Sequence, residues 1–302
     1  MSFLKALLDG SNAKERQKKQ ICTIAIAITA ILLVVAIITF IICQVVDATT
    51  TKVPDEGKDT EKETIDFGET TAISLSDTAI YSGNLLTLND NNHFKGEPEL
   101  INIYENRNGA FLSIRQANRS KFEATADTVE NLCKMVIACN EAINDDNLLV
   151  SNAYNTSEIS SQKGIYSSGE AIALNYFNSE SETGESPIYE NERYKWIYNN
   201  AHKYGFIAVS SKSNVFRYVG EVHASAAKTK GVYLDNYLKQ LKSATVESPV
   251  RLNASGSYIA YYCPISDVKV PKNYSYTISG NNVDGVIVTV NLAKSSGNTV
   301  EE

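Results

Sequence analysis

The sequence predicts an α+β protein: a mixed sheet with helices, a small antiparallel β module after it, and one N-terminal transmembrane helix before it. Three observations carry that prediction. Ile21 to Val46 is a run of 26 residues without a charge. Tyr194 to Gly220 reads as an amphipathic helix, a glycine, a strand, a turn and a second strand. Between Glu247 and Leu292, alternating apolar runs are broken by Pro271, Gly280-Asn281-Asn282 and Asp284-Gly285, the turn chemistry of antiparallel strands.

As a helix, the 26 uncharged residues would measure about 39 Å against a hydrocarbon core of about 30 Å, enough to span a bilayer with some tilt. Buried core helices rarely stay apolar on every face for this length. Cleaved secretory signals have apolar cores of only about 7–15 residues. Phe40-Ile41-Ile42-Cys43 has the cysteine of a lipoprotein signal, but a bulky Ile42 precedes it, so the segment reads as an uncleaved anchor. Lys5, Lys14, Arg16, Lys18 and Lys19 lie before it against Asp9 and Glu15, which places the N-terminus in the cytoplasm and the rest outside. The expected organisation is a basic cytoplasmic tail over 1–20, a single transmembrane helix over 21–46 and a flexible stalk over 47–71. A main domain over 72–245, a β module over 246–295 and a disordered tail over 296–302 follow.

With 302 residues, 43% of them hydrophobic, the chain can bury one ordinary core and a small second one. It holds 28 basic and 35 acidic residues, and beyond residue 46 the counts are 23 and 33. Nucleic acid is excluded as a partner, because phosphate contact needs clustered lysine and arginine. Of five cysteines, Cys22 and Cys43 lie in the anchor. Cys133 and Cys139 sit on different faces of one predicted helix, so no disulfide framework is legible and buried free thiols are expected.

Within the main domain, Ala79-Ile80-Tyr81 and Leu85 to Leu88 read as strands. The turn Asn89 to His93 lacks the glycine and closing glutamate of a calcium loop. Thr125 to Ile143 is the best helix, with Val129, Leu132, Val136 and Cys139 at helical spacing. Leu148 to Tyr154 reads as a strand, Gly164 to Phe177 as a loop running into a strand, and Glu221 to Lys228 and Tyr233 to Leu241 as short helices.

Catalytic chemistry is sparse. A catalytic zinc needs three converging ligands, yet the only histidines are His93, His202 and His223, and no two are four apart. No G-x-S-x-G elbow, phosphate loop or dinucleotide fingerprint is present.

The order W-x-x-x-N-A-x-K-Y-G-F from Trp196 to Phe206, followed by F-R-Y-V-G-x-x-H-A from Phe216 to Ala224, resembles the VanY-type D,D-carboxypeptidases. These zinc peptidases remove the terminal D-alanine of cell-wall stem peptides. The resemblance covers about Leu85 to Leu241 and implies a VanY-like core for the main domain. It also implies where a site should be, and there the sequence departs from the family. Where the family has S-E-H-x-T-G-x-A-x-D, with histidine and aspartate as zinc ligands, alignment on Gly169 and Ala171 puts Tyr166 and Ala173 at those positions, with Ser167 and Ser168 in the loop. Where it has Glu-Pro-Trp-His before F-R-Y-V-G, supplying the general base and the last ligand, Lys212 and Val215 stand. Where it has Ser-x-Tyr-Arg-Ser, whose arginine grips the substrate carboxylate, Tyr154 is kept and Asn155 replaces the arginine.

The expectation is a pseudo-peptidase on the outer face of a bacterial membrane. No catalytic or metal-binding residue and no cofactor are assigned, and a vestigial groove is expected at Tyr154, Asn155, Tyr166, Ser167, Ser168, Ala173, Lys212 and Val215. Its partners would be the membrane, through residues 21–46, and a peptidoglycan stem peptide or another envelope protein. The alternative is an active zinc carboxypeptidase whose ligands have moved.

Overall fold

The computed structural model describes residues 65, 67–158 and 163–295. The expected cytoplasmic tail, the transmembrane helix, most of the stalk and the tail over 296–302 lie outside the described residues. Among the described residues, no helix is long and apolar enough to cross a membrane.

The main sheet is mixed and runs in the order β3 (Ser113–Ile114), β5 (Leu148–Asn152), β7 (Ala171–Phe177), β10 (Val215–Tyr218), β9 (Phe206–Ala208), with β8 (Glu185–Pro187) pairing the far end of β7. Only β3 and β5 are parallel; the other pairs are antiparallel. One face carries Ile172, Leu174 and Phe216 and is covered by helix α1 (Ala126–Ile143) and helix α2 (Lys195–Asn200), which share a core with them. Helix α1 starts where Thr125 accepts a hydrogen bond from the Thr128 N–H at 3.4 Å and stops at Asn144, whose φ of 49° is left-handed. Val129, Leu132, Val136 and Cys139, the residues at helical spacing, are all buried.

After α2, a 3-10 turn over Ala201–Tyr204 ends at Gly205 with φ of 81°. A Cβ there would come within 2.5 Å of the Tyr218 ring, so both backbone conformation and packing require glycine. Helix α3 (Glu221–Thr229) and helix α4 (Leu234–Ser243) then cover part of the opposite face. A small sheet, β2 (Ile101–Asn102), β4 (Phe122–Ala124) and β6 (Tyr154–Asn155), flanks the entry to α1.

The C-terminal strands form a sheet in the order β11 (Val250–Arg251), β12 (Tyr258–Pro264), β15 (Gly285–Ser295), β14 (Tyr274–Gly280), beside the pair β1 (Thr70–Ile73) and β13 (Val268–Pro271).

Three expectations need correcting. The stalk was expected to reach residue 71, but Phe67 is buried and stacked on Tyr261 at 5.5 Å, and β1 is paired along its length with β13. One aromatic in a polar stretch is enough to dock it when a sheet edge lies alongside. The β module is not a separate domain. Leu252, Ala260 and Ile287 share a core with Leu85, Ile207 and Val219 of the main domain, because neither part alone covers its apolar face. Neither segment expected as a strand near residue 80 is one: Ala79–Tyr81 is part of a 3-10 turn, Asp77–Tyr81, opened by the Ser76 hydroxyl accepting from the Thr78 N–H at 3.1 Å, and Leu85 to Leu88 belongs to no strand. Cys133, Cys139 and Cys263 are buried free thiols.

Candidate functional site

Because side chains alternate along a strand, Ala171 and Ala173 lie on the face of β7 opposite Ile172 and Leu174. Val215 and Arg217 of β10 share that face. Val215 is the direct partner of Ala173. On the other side of Ala173, across a bulge in β5, stands Asn152. Tyr166 ends the 3-10 turn Gly164–Tyr166 that leads toward β7. Of the positions assigned to the three metal ligands, Ala173 and Val215 are thus direct neighbours, with Asn152 on the other side of Ala173. Burial pushes the Tyr166 phenol up to about 12, against the smaller opposing effect of the Asn152 side chain, so it is neutral near pH 7.

The other assigned positions are dispersed. Ser167 and Ser168 are buried and their hydroxyls are engaged: Ser167 donates to the Gly164 carbonyl at 2.6 Å and accepts from the Phe94 N–H at 2.9 Å, while Ser168 donates to Glu170 at 3.0 Å. They hold the loop's path and do not line an open groove. Gly169, between them and β7, has φ of 75°, and a Cβ there would collide with Leu100 at 2.2 Å. Tyr154 and Asn155 belong to the small sheet, opposite Glu123 and Phe122. Asn155 is buried, with its side-chain oxygen accepting from the Ser157 N–H at 2.9 Å. Lys212 is exposed on the turn between β9 and β10.

Residues that the motif reading passed over complete the face. Asn214 donates to the Asn175 side-chain oxygen at 2.7 Å beside the Ala173–Val215 pair. Arg217, fully buried, donates to Glu170 through Nη2 at 2.5 Å and Nε at 3.2 Å, and to the Leu86 carbonyl through Nη1 at 3.1 Å. Burial raises the Glu170 pKa, with Arg217 and Ser168 opposing it. A signal for this pair was present: charges inside otherwise apolar strands are rarely buried unless paired.

The residues at these positions do not fit zinc. Alanine and valine have no donor atom, and a neutral phenol is a poor ligand. Among the described residues, no group of three His, Cys, Asp or Glu side chains could hold a metal ion. His93 accepts from the Gly164 N–H at 3.0 Å. His223 bridges the Tyr237 and Thr289 hydroxyls at 2.7 and 2.9 Å. What the Ala173–Val215 pair has beside it instead is a few amide groups, able to hydrogen-bond but without a charge.

No family model matches the chain. It is similar to a D-alanyl-D-alanine carboxypeptidase of Enterococcus faecium, 27% identical over 246 residues, covering 72% of this chain and 78% of the relative. Among solved structures it is similar to the vancomycin-resistance D,D-dipeptidase VanXYg in complex with a D-Ala-D-Ala phosphinate analogue. That match has a TM-score of 0.55 and 22% identity, and covers 74% of this chain and 99% of the other. The chain is related to the D,D-carboxypeptidases and has their mixed α+β fold.

Proposed function

We propose that this protein is a membrane-anchored, extracytoplasmic pseudo-peptidase: a D,D-carboxypeptidase fold kept for binding a wall stem peptide or another envelope protein rather than for hydrolysis. The observation that carries this reading is the Ala173–Val215 pair, two hydrocarbon side chains facing each other where the VanY pattern has an aspartate and a histidine. With Tyr166 neutral and Lys212 carrying the wrong charge for a general base beside a cation, hydrolysis has lost its metal, its base and its arginine clamp together. The anchor rests on the uncharged run over 21–46 and its basic N-terminal flank.

The test is to purify the full chain, measure zinc, and assay release of D-alanine from a pentapeptide. The expected result is neither bound zinc nor release. Stoichiometric zinc, together with release above a metal-stripped control, would overturn the reading in favour of an active carboxypeptidase with relocated ligands.

A further inference from the structure

Tyr189 and Tyr233, 42% and 41% exposed, lie far apart in the sequence and line the same cavity. The first sits in a 3-10 turn, Ile188–Glu190, ahead of α2, and the second immediately before α4. The cavity has a volume of about 440 Å³, within the range of small-molecule sites. Tyr198 of α2 is a third tyrosine of the lining, tilted against Phe216 with ring centroids 5.2 Å apart. Burial, and next the neighbouring Tyr189 and Tyr233, raise its pKa, so the three phenols lie close together.

Hydrogen bonds between elements hold the walls. The Tyr198 hydroxyl donates to the Ser213 carbonyl at 2.6 Å, which ties α2 to the turn between β9 and β10. Lys228 of α3 donates to the Tyr198 carbonyl at 3.0 Å and is thereby engaged with the wall. Lys195, the other cation of the lining, is paired with Glu192 at 2.6 Å. No carboxylate lines the cavity.

What the cavity offers a ligand is therefore neutral. Among the described residues, the side chains of Tyr189, Tyr233, Asn199 and Ser211 make no hydrogen bond within the protein. His202 Nδ1 is a buried atom without a hydrogen-bond partner. Burial first, then Lys228 and Lys203, lower the His202 pKa, so its imidazole is uncharged and has one donor and one acceptor nitrogen. Buried polar atoms in native proteins are normally satisfied, and a ligand hydroxyl would satisfy this one.

We propose that this cavity binds a neutral saccharide of gluco configuration with equatorial linkages. Such a pyranose carries its ring hydrogens on two apolar faces and its hydroxyls around the rim. The faces match tyrosine rings, which are apolar over the ring and polar at the hydroxyl. The rim hydroxyls, each both donor and acceptor, match Asn199, Ser211, His202 Nδ1 and the unspent phenols. A charged ligand would meet no free counter-charge, and a purely apolar one would bury these polar groups without partners. None of the positions that the VanY resemblance assigns to the site lines the cavity, so the inference stands apart from the pseudo-peptidase reading.

A ligand-observed NMR titration of the full chain, in a detergent without a sugar headgroup, tests the proposal with cellotetraose and with chitotetraose, its N-acetylated counterpart. Saturable binding of at least one is expected, with Kd of about 1 mM or tighter. It should change less than roughly twofold between low and high salt, because no ion pair forms. Tyr233→Ala removes an exposed ring and should weaken binding about tenfold, and Tyr233→Phe, which keeps the face, should lose less. Phe111→Ala removes an exposed ring that does not line the cavity and should leave binding unchanged. If Tyr233→Ala does not fold, Tyr189→Ala asks the same question. Binding of neither tetrasaccharide to the folded chain, binding that both tyrosine-to-alanine variants leave unchanged, or binding that salt abolishes would overturn the proposal.

Discussion

Val215 stands opposite Ala173 on a non-hydrogen-bonded rung of the ladder between β10 and β7: Leu174 bonds to Asn214 on one side of it and Tyr218 to Glu170 on the other. On such rungs the Cα atoms are about 4.5 Å apart and the side chains are at their closest. Two ligating side chains on this rung would converge on one ion. Two hydrocarbon side chains stand there instead, and under the proposed function this rung is the backbone frame of a metal site without its chemistry.

If that frame is intact, putting ligands back should restore metal binding. The triple variant Tyr166→His, Ala173→Asp, Val215→His is expected to take up zinc and to show a melting temperature that rises with zinc, while the parent shows neither. A folded triple variant that ignores zinc would mean that these positions are not the counterpart of the family's site.

Arg217 and Glu170 form a buried pair, with Arg217 fully enclosed. Removing one partner leaves an uncompensated buried charge, so Arg217→Met should cost about 3–5 kcal/mol. The double change Arg217→Met with Glu170→Leu should recover much of that loss. Denaturant melts of the three proteins read the difference; equal stability of the single and double variants would contradict it.

His223 ties α3 to α4 and β15 through Tyr237 and Thr289, and burial lowers its pKa to about 4 from the ordinary 6.5. Between those two values the unfolded chain binds the proton and the folded chain does not. The contribution is therefore complete above about pH 6.5 and is lost as the pH falls toward 4, amounting to about 3 kcal/mol. His223→Gln should flatten stability across that window relative to the parent. An unchanged slope between pH 4 and 6.5 would show that other groups carry it.

The packing of Phe67 on Tyr261 and the pairing of β1 with β13 make residues 67–73 part of the fold. A chain begun at residue 74 should therefore melt several degrees below one begun at 63, by the loss of roughly 2–3 kcal/mol for the buried phenylalanine plus the strand's bonds. Equal melting temperatures would put those residues back in the stalk.

Much of this molecule is local and could be read along the chain. Helix α1 follows from Thr125 as cap and an apolar residue every three or four positions, and the turn after α2 from Gly205, since caps, periodicity and left-handed glycines involve neighbours within one or two turns. That neither Val215 nor Ala173 carries a donor atom for a metal is legible from residue identity alone. Pairing is different. That Ala173 meets both Asn152 and Val215, that Glu170 neutralises an arginine 47 positions away, and that β1 finds β13 nearly 200 positions later all depend on the chain's return path. So does the joining of the β module to the main core through His223 and Thr289. A buried charge or an unpaired strand edge announces in one dimension that it needs a partner, but only the closing of the sheets in three dimensions supplies one.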